Sequence, residues 1–236
     1  MKQANGDPIG VAIAEYAQTK KPKDIVVSSD ICDDDIIPIE VLFRTLDEMP
    51  VLEQMALDRC AGKVLDVGAG AGVHSIELMD RGIDVTAIDV SHGAVEWMKK
   101  QGIHSKKINF FELKNESFDT ILMLMNGLGI AGTLANLEST LQHAASLLNK
   151  GGKILCDSSD IKYLYEDEDG SLWVDLNAEY YGNFRFQMSY GKEKSAWFDW
   201  LYVDFDNLFK AAESAGLKAR RIHEEDDHFL AELIKE

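Results

Sequence analysis

Asp66, Gly68, Gly70 and Gly72 stand at alternate positions of Lys63-Val-Leu-Asp-Val-Gly-Ala-Gly-Ala-Gly72. Glycine accepts a positive φ and lets backbone approach a ligand closely. The apolar Val64, Leu65 and Val67 read as a strand entering the turn, and Val73 to Met79 begin a helix. A helix N-terminus aims free N–H groups at whatever the turn holds. The chemistry on offer is therefore the holding of a nucleotide-like ligand. Asp66, two residues before the first glycine, is expected on the strand and aimed at the ligand pocket. A second acid, Asp89, stands at the tip of the following strand, Asp84 to Val90.

The dinucleotide fingerprint G-x-G-x-x-G/A would place its third small residue at 73, where this chain has Val73. A nicotinamide or flavin dinucleotide is a poor fit on that ground.

Other groups are weaker candidates. His223-Glu-Glu-Asp-Asp-His228 has metal-ligating types but reads as a solvated turn between two strands, so no metal site is expected. Asp33 to Asp35 could rim an amine pocket, but acids before Ile36-Ile37-Pro38 read better as a helix start. Arg44 could reach a cofactor carboxylate, though a surface arginine is the plainer reading. Asn126 either faces the ligands or braces the Gly127-Leu-Gly129 turn. Tyr180, Tyr181, Trp197, Phe198 and Trp200 either wall a substrate pocket or serve packing or a dimer contact. His74 reads as structural. No nucleophile and base stand out together, so catalytic residues are not assigned.

The elements that must position these residues follow from periodicity. Residues 1–61 read as a helical cap, with helices opened by Asp7-Pro8, by Asp33 to Pro38 and by Pro50, and a short extended piece at 24–29. From residue 62 strands alternate with helices. Strands are expected at 63–68, 84–90, 107–113, 118–125 and 153–157, with helices near 72–81, 91–101 and 133–149. Gly151-Gly152 is read as the stop of the last of these helices. Such alternation, with nearly continuous apolar strands, means a mostly parallel sheet covered on both faces. Residues 158–203 interrupt the rhythm with an acidic turn at 166–170 and a hairpin of 183–190 and 196–203. A helix capped by Asp204 or Asp206 and an antiparallel pair, 218–223 and 228–235, end the chain.

Composition narrows the partners. At 236 residues and 46% apolar, the chain can bury a sizeable α/β core, which argues against disorder. A net charge of −17 repels phosphate backbones, so nucleic acid is not expected, while a neutral or cationic small substrate is tolerated. Three cysteines without a C-x-x-C suggest a reduced, cytoplasmic chain. Neither a signal pattern nor an apolar run of spanning length is present, so no membrane is expected. A monomer or homodimer is expected.

Val64-Leu-Asp-Val-Gly-Ala-Gly-Ala-Gly72 resembles the D/E-x-G-x-G-x-G motif of the class I S-adenosylmethionine-dependent methyltransferases. Ile88-Asp-Val-Ser91, Phe118-Asp119 and Leu147-Leu-Asn-Lys-Gly-Gly-Lys-Ile154 resemble the family's later motifs, in order, over about residues 63–157. The resemblance implies a doubly wound Rossmann-like sheet of seven strands in the order 3-2-1-4-5-7-6, the seventh antiparallel. It implies S-adenosylmethionine as cofactor, held beside Asp66 and Gly72, with backbone at Gly68, Ala69 and Gly70 against its methionine and ribose portions. Asp89 would accept the ribose hydroxyls, Val90 would touch the adenine, Glu112 would lie near the adenine amino group, and Asn126 would stand where cofactor and substrate meet. The expected activity is methyl transfer to a small molecule, with the cap and the insertion as a lid. The alternatives are an aminopropyltransferase, an NAD-dependent oxidoreductase, or a protein that binds the cofactor without using it.

Overall fold

The computed structural model describes residues 6–21, 23–165, 167 and 180–236. In chain order it contains α1 (Pro8–Thr19), β1 (Ile25–Ser29), β2 (Asp35–Ile37), α2 (Val51–Leu57), β3 (Lys63–Val67), α3 (Val73–Asp80), β4 (Asp84–Asp89), α4 (His92–Lys100), β5 (Ser105–Lys107) and β6 (Phe118–Met123). Then follow α5 (Leu134–Ser146), β7 (Leu148–Ser159), β8 (Asn183–Tyr190), β9 (Glu193–Lys194), β10 (Phe198–Leu201), α6 (Phe205–Ser214), β11 (Leu217–Glu225) and β12 (His228–Lys235).

The main sheet has seven strands in the order β11-β12-β7-β6-β3-β4-β5. Numbered within the unit as β3, β4, β5, β6, β7, β11 and β12, this is 3-2-1-4-5-7-6. β12 runs antiparallel to both β7 and β11, while the other pairings are parallel. The strands are buried on both faces. Leu65, Ile121, Ile154 and Ala231 belong to one core with α5 and α6, and Val64, Leu122, Leu155 and Leu230 to a second beneath α2. A strand alternates its side chains between faces, so each apolar run feeds both cores.

Three sequence expectations change, and a fourth lies largely outside the described residues. The segment before residue 62 is not only helical: Asp35 to Ile37 form β2, which pairs with β1 through Ile25↔Ile37 and Val26↔Ile36. Two β-branched isoleucines before Pro38 favour extended backbone, and this outweighs the dipole argument for a helix start. The strand expected at 107–113 ends at Lys107, because the Asn109 side chain accepts the Phe111 N–H at 3.0 Å and starts a 3-10 turn over Phe110–Glu112. Gly151-Gly152 does not stop a helix. α5 ends at Ser146, and Gly151, at φ +76°, lies in an irregular part of β7 where the pairing with β6 shifts register between Phe118 and Thr120. Of the acidic turn expected at 166–170, all but Asp167 lies outside the described residues.

The N-terminal strands and the insertion form one five-stranded sheet of their own, in the order β10-β8-β1-β2, with β9 on β8. β1 is its link: it pairs antiparallel with β2 on one side and with β8 on the other, Val27 opposite Met188. Segments over 150 positions apart are thereby a single structural layer. Ile25 and Tyr190 of this sheet share one buried cluster with Ala12 and Ile13 of α1, Ile39, Ala94 of α4 and Ala71 of the glycine turn. α1 meets α4 at Gly10 and Gly93, close enough that a Cβ on Gly93 would stand 2.5 Å from the Gly10 Cα.

Candidate cofactor and acceptor site

β3 ends at Val67, and the chain turns through Gly68, Gly70 and Gly72 at φ +72°, +57° and +83°. Other L-residues pay to enter that region, which explains three glycines in five positions. They differ in surroundings. A Cβ on Gly68 would meet nothing within 4 Å, so this backbone faces open space. A Cβ on Gly72 would stand 2.6 Å from Ile103 Cδ1 and 3.0 Å from Met98 Cγ. Gly68 thus leaves a face free for a ligand, whereas Gly72 permits packing of α3 against α4.

Asp89 ends β4 and is joined to the turn. Its Oδ2 accepts the Gly70 N–H at 2.9 Å, and its Oδ1 accepts the Ser91 N–H at 2.7 Å. Each carboxylate oxygen has two acceptor sites, so each retains one for a further donor. Burial pushes the carboxyl up to about 6, against the pull of the Ser91 and Gly70 N–H groups. Val90, the next residue, is 65% exposed, an apolar surface beside a carboxylate with two free acceptor positions. That donor and acceptor set fits an adenosine: hydroxyls for the carboxylate, a flat apolar ring for Val90.

Asp66 departs from the expectation of an acid aimed at an open pocket. It is 3% exposed, and its Oδ2 accepts the Ser75 hydroxyl at 2.7 Å, which fastens β3 to the first turn of α3. Burial pushes its carboxyl up, while His74 and Ser75 pull the other way. Ala69 is buried between the glycines, and its N–H is taken by the Ile88 carbonyl at 3.1 Å. Glu112 is exposed on the 3-10 turn after β5, not in a strand.

Asn126 follows β6 in left-handed backbone, φ +57°, and so does Met125, φ +61°. Two successive non-glycine residues in that region mark a constrained turn of the kind found at functional sites. The Asn126 amide is engaged at both ends: Nδ2 donates to the Leu201 carbonyl at 3.1 Å, and Oδ1 accepts the Ser158 hydroxyl at 2.8 Å. Asn126 therefore braces the end of β10 and the end of β7 against the turn after β6.

Two pairings were not read from the sequence. Arg44 is no surface residue: it donates to both carboxylate oxygens of Glu53, and Glu53 Oε2 lies 2.6 Å from His74 Nε2. Burial pushes the Glu53 carboxyl up, but His74 and Arg44 beside it prevail and hold it below the usual range. This cluster ties α2 and the segment before it to α3, directly behind the glycine turn. The second is Asp157 with His228, 2.8 Å apart, one at the end of β7 and the other opening β12. No helical or strand period announces either pairing: Arg44 and Glu53 are nine positions apart on different elements, and Asp157 and His228 are 71 apart. Among the described residues no group of three His, Cys, Asp or Glu is arranged for a metal ion.

A seven-stranded sheet of this order, with a glycine turn and a strand-tip carboxylate at its carboxyl edge, defines a Rossmann-like domain that holds an adenosine-type ligand. Comparison with known proteins names the class. A family model described as a methyltransferase domain matches residues 64–152. An S-adenosylmethionine-dependent methyltransferase from Bacteroides fragilis, solved with S-adenosyl-L-homocysteine, is 42% identical with a TM-score of 0.91, over 99% of this chain and 97% of that one. CalS10, an amino pentose methyltransferase from Micromonospora echinaspora solved with bound SAM, has the same fold at 14% identity, with a TM-score of 0.58 over 84% and 96% of the two chains. Glycine N-methyltransferase of Mus musculus is 25% identical over 122 residues, 43% of this chain and 42% of that enzyme, so the match spans less than half of that relative. The chain belongs to the class I S-adenosylmethionine-dependent methyltransferases, and its cofactor is S-adenosylmethionine.

Proposed function

We propose that the protein transfers the methyl group to a small-molecule acceptor, enclosed between the carboxyl edge of the main sheet and the cap layer. One observation carries this reading: the N-terminal strands β1 and β2 and the inserted β8 to β10 form one sheet, whose core packs on Ala71 of the glycine turn. We take residues 1–61 and about 158–203 together as the cap, and the remainder of 62–236 as the catalytic unit. A cap joined from two segments suits a molecule that can be surrounded. The net charge of −17 argues against nucleic acid and for a neutral or cationic acceptor. The curated glycine N-methyltransferase and the amino pentose enzyme lend support to an amine, within the limits of their partial or fold-level likeness. No described helix is long and apolar enough to cross a membrane, and Cys32, Cys60 and Cys156 are free thiols, which supports a reducing, cytoplasmic setting.

In this reading S-adenosylmethionine, when bound, supplies an electrophilic methyl group on a sulfonium. Gly68, Ala69 and Gly70 lie against its methionine and ribose portions, with Gly68 giving the open backbone face. Asp89 accepts the ribose hydroxyls on its two remaining acceptor positions, and Val90 covers the adenine. Asp66 and Gly72 act indirectly, by fixing α3 behind the turn. Glu112 reaches the adenine amino group from the 3-10 turn after β5. Asn126 holds the wall between cofactor and acceptor, since its amide links β7 and β10 there. With an electrophile so reactive, alignment of the acceptor is the main task of the protein.

The test is to incubate the protein with methyl-labelled S-adenosylmethionine and, separately, small-molecule, protein and RNA fractions of a cell extract. Label is expected in the small-molecule fraction. Label confined to protein or RNA overturns the reading.

A further inference from the structure

We propose that His228, oriented by the buried Asp157, is the base that takes the acceptor's proton as the methyl group is transferred. This rests on the small-molecule reading above and adds a residue to it. Because β12 runs antiparallel to β7, its first residue lies at the same edge of the sheet as the last residues of β3, β6 and β7. The face is also settled. Leu155 and Leu230 pack in the core beneath α2 with Val64, and Asp157, His228 and Asp66 each lie two residues along from one of these, on that same face. The pair therefore shares an edge and a face with Asp66 of β3. Asp157 also touches the turn after β6, where its Oδ1 accepts the Gly127 N–H at 3.3 Å.

The two partners differ sharply in exposure. The Asp157 side chain is 1% exposed and the His228 side chain 41%. A carboxylate so buried must be paired, and its Oδ2 takes the Nε2 of His228 at 2.8 Å. In the neutral ring this holds the proton on Nε2 and leaves the lone pair on Nδ1. No hydrogen bond to Nδ1 forms among the described residues. An orienting acid on one nitrogen and a bare second nitrogen form the arrangement of a general base.

The charged groups that act most on the ring are acidic: Asp157 from β7, Glu53 from α2, itself paired with Arg44 and His74, and Glu225 from β11. The Asp157 hydrogen bond leads in holding His228 above its ordinary value, against burial. The base form therefore gains population as pH rises through that raised value. The step balances as follows. The lone pair of the acceptor atom forms a bond to the methyl carbon while the methyl–sulfur bond breaks, its electrons staying on sulfur as a neutral thioether. The proton of the acceptor passes to Nδ1, Asp157 stabilises the imidazolium, and the exposed ring returns the proton to solvent.

Two measurements test this. The first needs no acceptor: imidazole 15N NMR of the protein saturated with S-adenosyl-L-homocysteine. The neutral His228 ring is expected as the Nε2–H tautomer, with its pKa above the ordinary imidazole value and brought down in D157N. An Nδ1–H tautomer overturns the proposal. The second follows label from S-adenosylmethionine into a pooled dialysable metabolite extract across pH. H228Q is expected to lose roughly 100-fold or more in rate and its acid limb, with unchanged affinity for S-adenosyl-L-homocysteine. D157N is expected to move that limb to lower pH. Native rate and an intact limb in H228Q overturn the proposal. If the extract takes no label with the native protein, the small-molecule reading fails instead, and the tautomer still decides the role of the pair.

Discussion

The Gly70 N–H donates to Asp89 Oδ2 at 2.9 Å, so the tip of β4 is fastened to the turn that leaves β3. The carboxylate proposed to hold the ribose thus also shapes the loop proposed to hold the methionine portion. Loss of its charge disturbs both. Asp89→Asn is expected to weaken S-adenosyl-L-homocysteine roughly 10- to 100-fold, since hydrogen bonds to a charged group contribute about 1.5–3 kcal/mol. Isothermal titration measures it, and unchanged affinity would show that the ribose lies elsewhere.

The same carboxylate sets a pH dependence. Burial raises it to about 6, so in the free protein it binds a proton as pH falls through that value. Ribose hydroxyls need the ionised form as acceptor. Affinity for S-adenosyl-L-homocysteine is therefore expected to be flat above about pH 7 and to decline below about pH 6, with the decline absent in Asp89→Asn. For folding alone the sign is opposite. A raised carboxyl favours the native state where it is protonated, and that contribution is lost as pH rises through about 6.

Gly68 and Gly72 share a backbone conformation but not an environment, and their alanine variants are expected to separate. Both pay about 1 kcal/mol for left-handed backbone. Gly72→Ala adds a clash with Ile103 and Met98, worth about 1–3 kcal/mol more, and should show chiefly as lost stability in denaturant titration. Gly68→Ala adds a methyl group to open space on the ligand side, and should show chiefly as lost cofactor affinity. Equal stability losses in the two would contradict the assignment of Gly68 to a ligand face.

The sequence made the main sheet legible because its signals are local. Val64-Leu65 followed by three alternate glycines, an acid at 89 and Phe118 to Met123 each carry their own period or turn chemistry. The position of Asp89 at the tip of its strand is legible for the same reason, whereas the ribose and adenine roles of Asp89 and Val90 rest on the family resemblance. What was not legible was pairing across the chain. β1 beside β8, Arg44 on Glu53, and Asp157 on His228 are decided by which surfaces meet after collapse; the first and last join distant segments, and Arg44 and Glu53, nine positions apart, share no helical or strand period. Arg44 illustrates the limit: an isolated arginine among apolar residues reads as a surface charge until Glu53 and His74 are seen buried beside it.

That buried cluster makes its own prediction. Glu53→Gln leaves Arg44 facing a neutral amide in a site where its side chain is 10% exposed. Breaking a buried pair from one side costs about 3–5 kcal/mol, so a large loss of stability is expected in urea titration. The sign with pH follows from the lowered Glu53 carboxyl: its stabilisation is present above the ordinary carboxylate value and lost as pH falls through the native one. The native protein should therefore lose stability in acid more steeply than Glu53→Gln.

Gly93 tests how the cap is held to the cofactor domain. α1 crosses α4 with backbone against backbone, and Asp7 bridges the two by accepting the Gly10 N–H and the Gly93 N–H, each at 2.9 Å. A methyl group at Gly93 would stand 2.5 Å from the Gly10 Cα, where the neighbour is main chain and cannot rotate away. Gly93→Ala should therefore push α1 off α4 at a cost of about 1–3 kcal/mol. β1 follows α1 and carries β8, so the loosening should reach the inserted strands while the main sheet keeps its protection. Hydrogen exchange checks this directly: faster exchange in α1, β1 and β8 with β3, β6 and β7 unchanged is the expected pattern. Uniform acceleration across both sheets would mean that the cap and the cofactor domain unfold as one unit.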